Sequence, residues 1–161
     1  MAASVKDEPR SEAMWVSRRT DYATRALLAL ALKNGGPMKL EEIARATAVP
    51  QSVLEQVMPV MRTAGIVRSE RGPAGGYRLN RSPEEITLER VVRLFQGQLA
   101  PIGCATRSQP EVCPMMLVCS LKEVWEEVRD ATIAILGRTT FADLARRAGG
   151  PWTDPSLLPA A

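Results

Sequence analysis

Three cysteines, Cys104, Cys113 and Cys119, are the residues of this 161-residue chain best suited to chemistry. They lie within sixteen consecutive positions, and an odd, clustered set of cysteines is typical of a metal or redox site rather than of a disulfide framework. Thiolates are good ligands for iron in iron–sulfur clusters. The same residues also fit a thiol switch or plain surface thiols, so the spacing alone leaves three interpretations open.

The chain contains no histidine. Ser–His–Asp catalysis, Cys–His catalysis and every zinc site that needs imidazole are therefore excluded. A structural zinc site is also disfavoured because no two cysteines are separated by only two to four residues. Since no other pairing of a nucleophile with a base is visible, we expect that the protein is not an enzyme.

Composition indicates a globular protein. Apolar residues make up 45% of the chain and charged residues 24%, which is close to the globular average. The longest unbroken apolar run covers residues 26–32, whereas a transmembrane helix needs about 20 apolar residues. The first thirty residues lack the apolar stretch of a secretory signal. We therefore expect a cytoplasmic protein without a membrane partner.

Positive charge is concentrated in the first half of the chain. Residues 15–81 contain eleven Lys or Arg against five Asp or Glu, while residues 82–161 contain eight against ten. A basic half indicates a polyanionic partner such as a nucleic acid. Ordinary solvated surface is the alternative explanation of the charge.

The apolar pattern predicts a helix-turn-helix followed by a β-hairpin. The predicted elements are helices over residues 16–33, 40–47, 51–64 and 88–95, and strands over residues 66–69 and 77–79. Thr87 is the expected N-cap of the fourth helix, and Pro59 predicts a bend within the third. This order of elements is that of a winged helix, a mostly α fold with a small β-hairpin wing.

The second half of the chain is dominated by one long helix, predicted over residues 114–136 from apolar spacings of three, four and seven. A loop precedes it, and a short capped helix over residues 139–144 follows. The long helix has an apolar stripe to bury, and we expect a two-fold partner to cover it, with packing on the first helix as the alternative. Pro114 at its start would put the positive end of the helix beside Cys113.

These elements divide the chain into five segments. They are a disordered extension (1–13), a winged helix-turn-helix DNA-binding domain (14–97), a cluster-binding loop (98–113), a dimerisation helix with the terminal short helix (114–147) and a flexible tail (148–161). The two outer segments are polar or rich in Pro, Gly and Ala, which is typical of loose termini.

Polar side chains occupy the positions at which a winged helix contacts DNA. The second helix of a helix-turn-helix enters the major groove with its N-terminal residues, where Gln, Ser and Glu can read base edges. The predicted base-reading residues are Gln51, Ser52, Glu55 and Gln56. The tip Arg71-Gly72-Pro73 is slim and cationic, which suits a minor groove. Phosphate contacts are predicted for Arg18, Arg19, Arg62 and Arg78. A protein-interaction module is the alternative use of the same fold.

These residues resemble the Rrf-type winged-helix regulators, which include IscR-like, NsrR-like and RirA-like bacterial proteins. The likeness covers residues 14–147 and depends on the wing sequence Arg-Gly-Pro-x-Gly-Gly-Tyr at residues 71–77, followed by three cysteines. Other matching segments are residues 20–23, 54–56, 64–69, 83–88 and 140–144. The resemblance implies a homodimer that binds a pseudo-palindromic DNA operator and holds one iron–sulfur cluster per subunit.

The resemblance also implies roles for single residues. Cys104, Cys113 and Cys119 match the cluster ligands of the family. IscR-like proteins have a histidine three residues after the last cysteine, where this chain has Lys122. NsrR-like proteins use an aspartate from the first helix of the other subunit, and Asp21 matches it. Asp21 is thus the candidate fourth ligand, with a cap or a surface charge as its alternative role. In the DNA-binding unit, the positions that match base-reading residues and the wing arginine are Ser52, Glu55, Gln56 and Arg71.

We therefore expect a homodimeric transcriptional regulator, a repressor, whose cluster senses nitric oxide, iron or redox status. A [4Fe–4S] cluster is favoured over [2Fe–2S]. A cluster-free regulator that responds to thiol chemistry or to a ligand is the main alternative, and the winged helix argues against a simple electron carrier. Met14 aligns with the usual first residue of the family, so residues 1–13 are either an extension or lie upstream of the true start.

Overall fold

A computed structural model describes residues 16–33 and 35–149. The predicted extension and nearly all of the predicted tail lie outside these residues. The described elements, in chain order, are α1 (Arg18–Leu32), α2 (Leu40–Thr47), α3 (Gln51–Thr63), β1 (Val67–Glu70), β2 (Gly76–Leu79), α4 (Leu88–Gln96), a 3₁₀ turn (Gly103–Ala105), α5 (Leu121–Arg138) and α6 (Phe141–Arg147). The predicted fold class, mostly α with a small β-hairpin wing, is confirmed.

The helix-turn-helix is built on three helices whose apolar faces meet. Leu27 of α1, Ile43 of α2 and Leu54 of α3 are each fully buried in one core. Burying a side chain of this size contributes about 1.5–3 kcal/mol. The turn between α2 and α3 passes through Ala48, whose left-handed backbone (φ 55°) redirects the chain sharply enough to bring the two helices together.

The end of α3 is stabilised by a Schellman motif. Gly65 adopts φ 69°, and its N–H donates to the Arg62 carbonyl at 3.0 Å, while the N–H of Ile66 donates to the Met61 carbonyl at 2.9 Å. Pro59 lies inside α3, which continues through it without a break. The bend near Pro59 stays a prediction.

The wing, residues 67–79, is attached to the rest of the fold by its second strand. β1 and β2 are antiparallel, with Val67 opposite Leu79 and Glu70 opposite Gly76. Met38 and Tyr77 exchange two backbone hydrogen bonds of 2.8 Å, so the connection between α1 and α2 lines the outer edge of β2. Gly76 permits this approach, because a Cβ at this position would collide with the Met38 carbonyl.

The C-terminal part of the described chain returns to the winged helix. Thr140 caps α6 in a capping box with Asp143, and Thr87 caps α4 as predicted. The two caps pair with each other in an isolated antiparallel bridge. Phe141 follows directly and is fully buried in the same core as α1. The predicted short helix over 139–144 is thus found slightly later and completes the core.

The predicted start of the long helix was wrong. α5 begins at Leu121, not at Pro114, and residues 114–118 form consecutive turns with three-residue bonds such as Met116 N–H to the Cys113 carbonyl at 3.1 Å. Helices of this length depend on packing of their apolar side, and the apolar side chains of residues 115–118 have little to pack on in this chain. The positive end of α5 therefore follows Cys119 instead of lying beside Cys113.

None of the helices in the part of the chain that the structure describes has the length and apolarity needed to cross a bilayer. α5 packs chiefly on α4 and on the 3₁₀ turn rather than on α1. It contributes no side chain to the described hydrophobic core, and Leu121, Val124 and Ile135 are each about half exposed.

Candidate DNA-binding surface and cysteine loop

The first turns of α3 present one polar face to solvent. Gln51, Ser52, Glu55 and Gln56 are all exposed, while Leu54 and Val57 on the opposite side of the helix are buried. The Gln51 amide nitrogen donates to the Glu55 carboxylate at 3.2 Å, which links two of the four side chains before any DNA is present. Arg62 lies two turns after Glu55 and is exposed on the same side of the helix. This face has the side chains and the spacing that a major groove requires.

The tip of the wing is exposed and narrow. Arg71, Gly72 and Pro73 all face solvent, and Gly72 has φ 110°, a backbone conformation that favours glycine. The N–H of Gly75 donates to the Gly72 carbonyl at 2.9 Å and closes the turn. The turn therefore projects one guanidinium with little bulk around it, which fits the predicted role of this tip in a minor groove.

Arg78 has a protein partner that the sequence did not reveal. It lies opposite Arg68 in the hairpin, and both guanidiniums approach Oε1 of Glu70, at 3.1 Å for Arg78 and 3.5 Å for Arg68. Glu70 reduces the repulsion of two like charges on neighbouring strands. Arg78 is thus part of the internal structure of the wing, and a phosphate would have to compete with Glu70 for it.

The other predicted phosphate contacts lie at the start of α1. The Arg19 guanidinium lies 5.7 Å from the centre of the Phe95 ring, a cation–π contact with α4. Arg18 is exposed and lines a groove described below. Their contact with DNA stays a prediction.

The three cysteines lie on one segment, residues 98–120, here called the cysteine loop. Cys104 is part of the 3₁₀ turn, Cys113 precedes the turns of residues 114–118, and Cys119 lies two residues before α5. All three are partly exposed free thiols. Among the described residues, no three Cys, Asp or Glu side chains are close enough to share a metal ion. The donor set suits iron, but the loop would have to rearrange to gather it.

The first part of the cysteine loop is held on α5 by Arg129. Only 10% of this side chain is exposed, and its guanidinium donates to the Ala105 carbonyl and, at 2.7 Å, to the Asp130 carboxylate. Arg107 donates to the same carboxylate oxygen at 2.8 Å. These hydrogen bonds, that of Arg129 above all, lower the pKa of Asp130 to about 2, and the carboxylate in turn raises the pKa of Arg129.

Sequence reasoning missed Arg129, although a signal was present. Trp125, Arg129 and Ile133 are separated by four residues each, so the arginine occupies a helix position shared with two apolar residues. A charged residue on such a stripe is typical of a buried charge with a specific partner. The partner, a backbone carbonyl 24 residues earlier, carries no sequence signal.

Asp21, the candidate fourth ligand, is paired within its own helix. Its two carboxylate oxygens accept hydrogen bonds from Arg25 at 3.1 and 2.8 Å, and about 40% of the Asp21 side chain is exposed. It lines a largely apolar groove of about 690 Å³ between α1, α4 and α5. The other lining residues are Val16, Arg18, Thr24, Leu88, Val92, Leu99, Thr132 and Leu136.

Large apolar side chains are exposed around the last two cysteines. Leu117 is 97% exposed and Val112 is 91% exposed, and Val118 follows at 74%. α5 also exposes apolar side chains, so this part of the described chain leaves much apolar surface uncovered. Such a surface is typical of a protein contact.

Comparison with known proteins identifies the family of this chain. A family model described as "Rrf2: Iron-dependent Transcriptional regulator" matches residues 16–147. The transcriptional regulator CymR of Bacillus subtilis is 33% identical over 138 residues, which cover 85% of this chain and 94% of CymR. The regulator NsrR of the same organism is 31% identical, with 83% of this chain and 91% of NsrR covered.

Solved structures agree with the sequence matches. The structure of CymR, described as the global cysteine regulator of B. subtilis, has a TM-score of 0.68 at 32% identity and covers 82% of this chain and 96% of its own. IscR of T. potens has a TM-score of 0.66 at 27% identity, with 92% and 95% covered. The winged helix, the long helix and the returning C-terminal helix are thus those of a known fold, and the chain belongs to the Rrf2 family of DNA-binding transcriptional regulators.

Proposed function

We propose that this protein is a cytoplasmic, homodimeric repressor whose cysteine loop binds an iron–sulfur cluster and thereby senses nitric oxide, iron or redox status. The observation that carries the proposal is the set of three free, partly exposed thiols on one loop. This loop is attached directly to α5, the helix whose apolar surface is left uncovered in the single chain. Sensing residues and dimer helix are therefore neighbours.

The uncovered apolar surface supports the dimer. α5 exposes Val124, Trp125 and Ile135, and the groove of about 690 Å³ beside it is lined mainly by apolar side chains. Burial of such surface is the main favourable contribution to association. We assign both surfaces to a second copy of the chain, which would also supply the two-fold arrangement that a pseudo-palindromic operator needs.

The cluster ligands we propose are Cys104, Cys113 and Cys119, with Asp21 of the partner subunit as the fourth. When bound, such a cluster supplies iron that reacts with nitric oxide or oxidants and that is lost when iron is scarce. We favour [4Fe–4S] over [2Fe–2S]. The residues themselves supply thiolates and a carboxylate, and Arg25 must release one or both of its hydrogen bonds before Asp21 can serve as a ligand.

The proposed regulation is a shift between two dimer geometries. Ligands from both subunits on one cluster would hold the cysteine loop of one subunit against α1 of the other. That constraint would fix the distance between the two copies of α3, whose exposed faces read the half-sites. Release of the loop would favour other distances, so that DNA affinity changes with the occupancy of the thiols.

Anaerobic purification tests the proposal directly. We expect coloured protein with iron and sulfide bound in each subunit, and an operator affinity that changes when nitric oxide or an iron chelator is added. Arg71→Ala should weaken operator binding and reduce the slope of log affinity against log salt by about one. Iron-free protein, or an affinity that ignores the metal, would refute the sensor.

The proposed ligand role of Asp21 can be distinguished from its role in the ion pair with Arg25. Asp21→Asn removes the carboxylate, whereas Arg25→Ala removes the partner and leaves the carboxylate intact. If Asp21 is a ligand, only the first variant should lose iron faster than the parent. Equal behaviour of the two variants would show that Asp21 is simply half of a surface ion pair.

A cluster-free, thiol-responsive regulator is the second candidate. It is favoured by two findings: the described residues do not gather the three thiols, and the chain is similar to CymR, described as a cysteine regulator. In that case anaerobic protein should be colourless, and oxidants should alter its operator affinity unless the cysteines are replaced by serine.

A further inference from the structure

We propose that Arg129 is a positioning residue, which together with Asp130 holds the Cys104 turn on α5 and so makes Cys104 the fixed point of the cysteine loop. The inference deepens the proposed function and rests on it, because the importance of Cys104 depends on a sensing role of the thiols. The contacts of Arg129 were absent from every sequence-based expectation.

Arg129 stands out by its burial. Three polar side chains are buried in the described part of the chain. Two are threonines, and the third, Arg129, is charged. A buried guanidinium is costly unless hydrogen bonds compensate it. Here the Nη1 group donates to the Ala105 carbonyl and the Nε group to Asp130 at 2.7 Å. The contact with the loop is thus an integral part of how α5 accommodates this charge.

The turn that carries Cys104 is attached to α5 by the residues that follow the cysteine. Ala105, the next residue, is fully buried and accepts the hydrogen bond from Arg129. Arg107, three residues after Cys104, donates to Asp130 at 2.8 Å. Within the turn, the Thr106 hydroxyl lies 2.9 Å from the Gly103 carbonyl and 2.7 Å from that of Gln109. Cys104 therefore has a defined position relative to α5.

The other two cysteines lack comparable attachments in the described part of the chain. The backbone hydrogen bonds around Cys119 are local, such as that from Val118 N–H to the Met115 carbonyl at 3.0 Å. Near Cys113, the Glu111 N–H donates to the Gly103 carbonyl at 3.2 Å, a bond to the Cys104 turn and not to α5. Leu117 and Val118 beside Cys119 are largely exposed. If the three thiols gather around a metal, we infer that Cys113 and Cys119 move towards Cys104.

Hydrogen bonds connect the end of α5 to the DNA-binding unit. Immediately after α5, the Thr139 carbonyl accepts a hydrogen bond from the N–H of Leu88 at 2.8 Å, at the start of α4. From α4, the Arg90 side chain donates to the Ala64 carbonyl at the end of α3 at 3.1 Å. A displacement of α5 by the cysteine loop therefore has packed elements on which to act.

The first experiment measures how fast the Cys104 thiol reacts, in protein that contains no metal and no other cysteine. In a Cys113→Ser/Cys119→Ser background, the reaction of the remaining thiol with a dinitrobenzoate disulfide reagent is followed over a range of pH. Fitting the whole profile separates the reactivity of the thiolate from its pKa. Arg129→Lys keeps the positive charge but loses the forked geometry, and we expect the thiolate to react about tenfold faster than in the parent.

Matched variants make this measurement decisive. Glu127→Gln changes an exposed charge two residues away on α5 and should leave the rate unchanged, and Asp130→Asn should accelerate it in the same direction as Arg129→Lys. Circular dichroism confirms that each variant is folded. If Arg129→Lys, folded, reacts within twofold of the parent, Arg129 does not position Cys104 and the inference is wrong.

The second experiment uses the full chain with all three cysteines, loaded with iron and sulfide without oxygen. We expect the Arg129→Lys protein to lose iron to a chelator severalfold faster than the parent, while Glu127→Gln matches the parent. Equal rates in all three proteins would overturn the inference while leaving the proposed cluster intact. A parent that never binds iron would refute the proposed cluster, and the thiol reaction would still decide the role of Arg129.

Discussion

The winged half of the molecule and the half that contains the cysteine loop and α5 differ in how completely they are packed. The described core draws its buried residues from α1 through α4 and from Phe141. The cysteine loop and α5 contribute nothing to this core, and they expose large apolar side chains such as Leu117 and Val124. The first region is packed within the single chain, whereas the second leaves large apolar side chains exposed.

The difference in packing suits the two regions to different proposed roles. A packed core leaves little freedom, and it fixes the face of α3 and the base of the wing in one geometry. A sparsely packed region has low local stability and can change its arrangement when a ligand or a second copy binds. The DNA contacts that we propose lie in the rigid region, and the proposed sensing residues lie in the adaptable one.

The largest expected effect comes from the residue that links the two regions. Phe141→Ala removes a fully buried ring, and we expect the free energy of unfolding to fall by about 3–5 kcal/mol, measured by urea denaturation. The control is Glu84→Ala, at an exposed site outside α5 and the cysteine loop, where the change should stay within about 0.5 kcal/mol. Similar losses in both variants would mean that burial of the Phe141 ring does not stabilise the core.

The base of the wing is the next place to test. Gly76→Ala would place a Cβ against the Met38 carbonyl at a position with φ 151°, and we expect a loss of about 3 kcal/mol in unfolding free energy. Gly72→Ala provides the matched control, because its φ of 110° is also unfavourable but its surroundings are open. That variant should lose about 1 kcal/mol. Equal losses would show that Met38 does not constrain the wing.

Dimerisation tests the open surface of the second region. Trp125→Glu places a charge on the exposed apolar side of α5, and we expect dimer affinity to fall by about 2 kcal/mol, roughly thirtyfold. Sedimentation velocity over a dilution series measures this change. Glu123→Gln, an exposed polar change on the same helix, should leave the affinity unaltered. An unchanged dimer in Trp125→Glu would place the interface elsewhere.

A smaller effect is expected at the cap of α6. The Thr140 hydroxyl accepts a hydrogen bond from the Asp143 N–H at 3.1 Å, so Thr140→Ala should reduce the unfolding free energy by about 1 kcal/mol. Thr140→Ser keeps the hydroxyl and should recover most of the loss. If Thr140→Ser loses as much unfolding free energy as Thr140→Ala, the stabilising group is the methyl group of Thr140 and not the hydroxyl cap.

The smallest expected effect is a dependence of folding stability on pH in the acid range. The backbone N–H of Thr140 lowers the pKa of Asp143 below its ordinary value of 3.8, and its hydroxyl adds to this shift. Because the folded-state pKa is the lower one, the carboxylate contributes stability that is fully present above about pH 4 and lost as the pH falls through the lowered value. Thermal unfolding of Asp143→Asn should therefore vary less with pH below 4 than that of the parent. Identical profiles would contradict this contribution.

The same contrast between the two regions decided how much could be predicted from the sequence. Helices α1 to α4 and the hairpin lie within one or two residues of their predicted bounds, because apolar periodicity and Gly, Pro and Thr punctuation are local signals that agree with the packing. The exposed face of α3 was predictable for the same reason, whereas the family was predicted from the resemblance of the wing sequence and the three cysteines to known regulators. The outcome for the ligand set is different, since the grouping of the three thiols with Asp21 stays a prediction.

The start of α5 shows why the rest could not be predicted. The pattern over residues 114–120 is helical, but helicity there depends on a surface to pack against, and the single chain does not provide one. Arg129 shows the same limit, because its carbonyl partner is distant in sequence. Long-range contacts of backbone groups leave no trace in composition or periodicity.

The pairing of Met38 with Tyr77 has a consequence for how the protein meets its operator. A third strand-like segment orders the stem of the hairpin in advance, so in the proposed complex only the few residues at the tip of the wing would have to become ordered in the minor groove. Because fewer residues lose conformational freedom on association, the wing should bind DNA at a smaller entropic cost than a hairpin without this third segment.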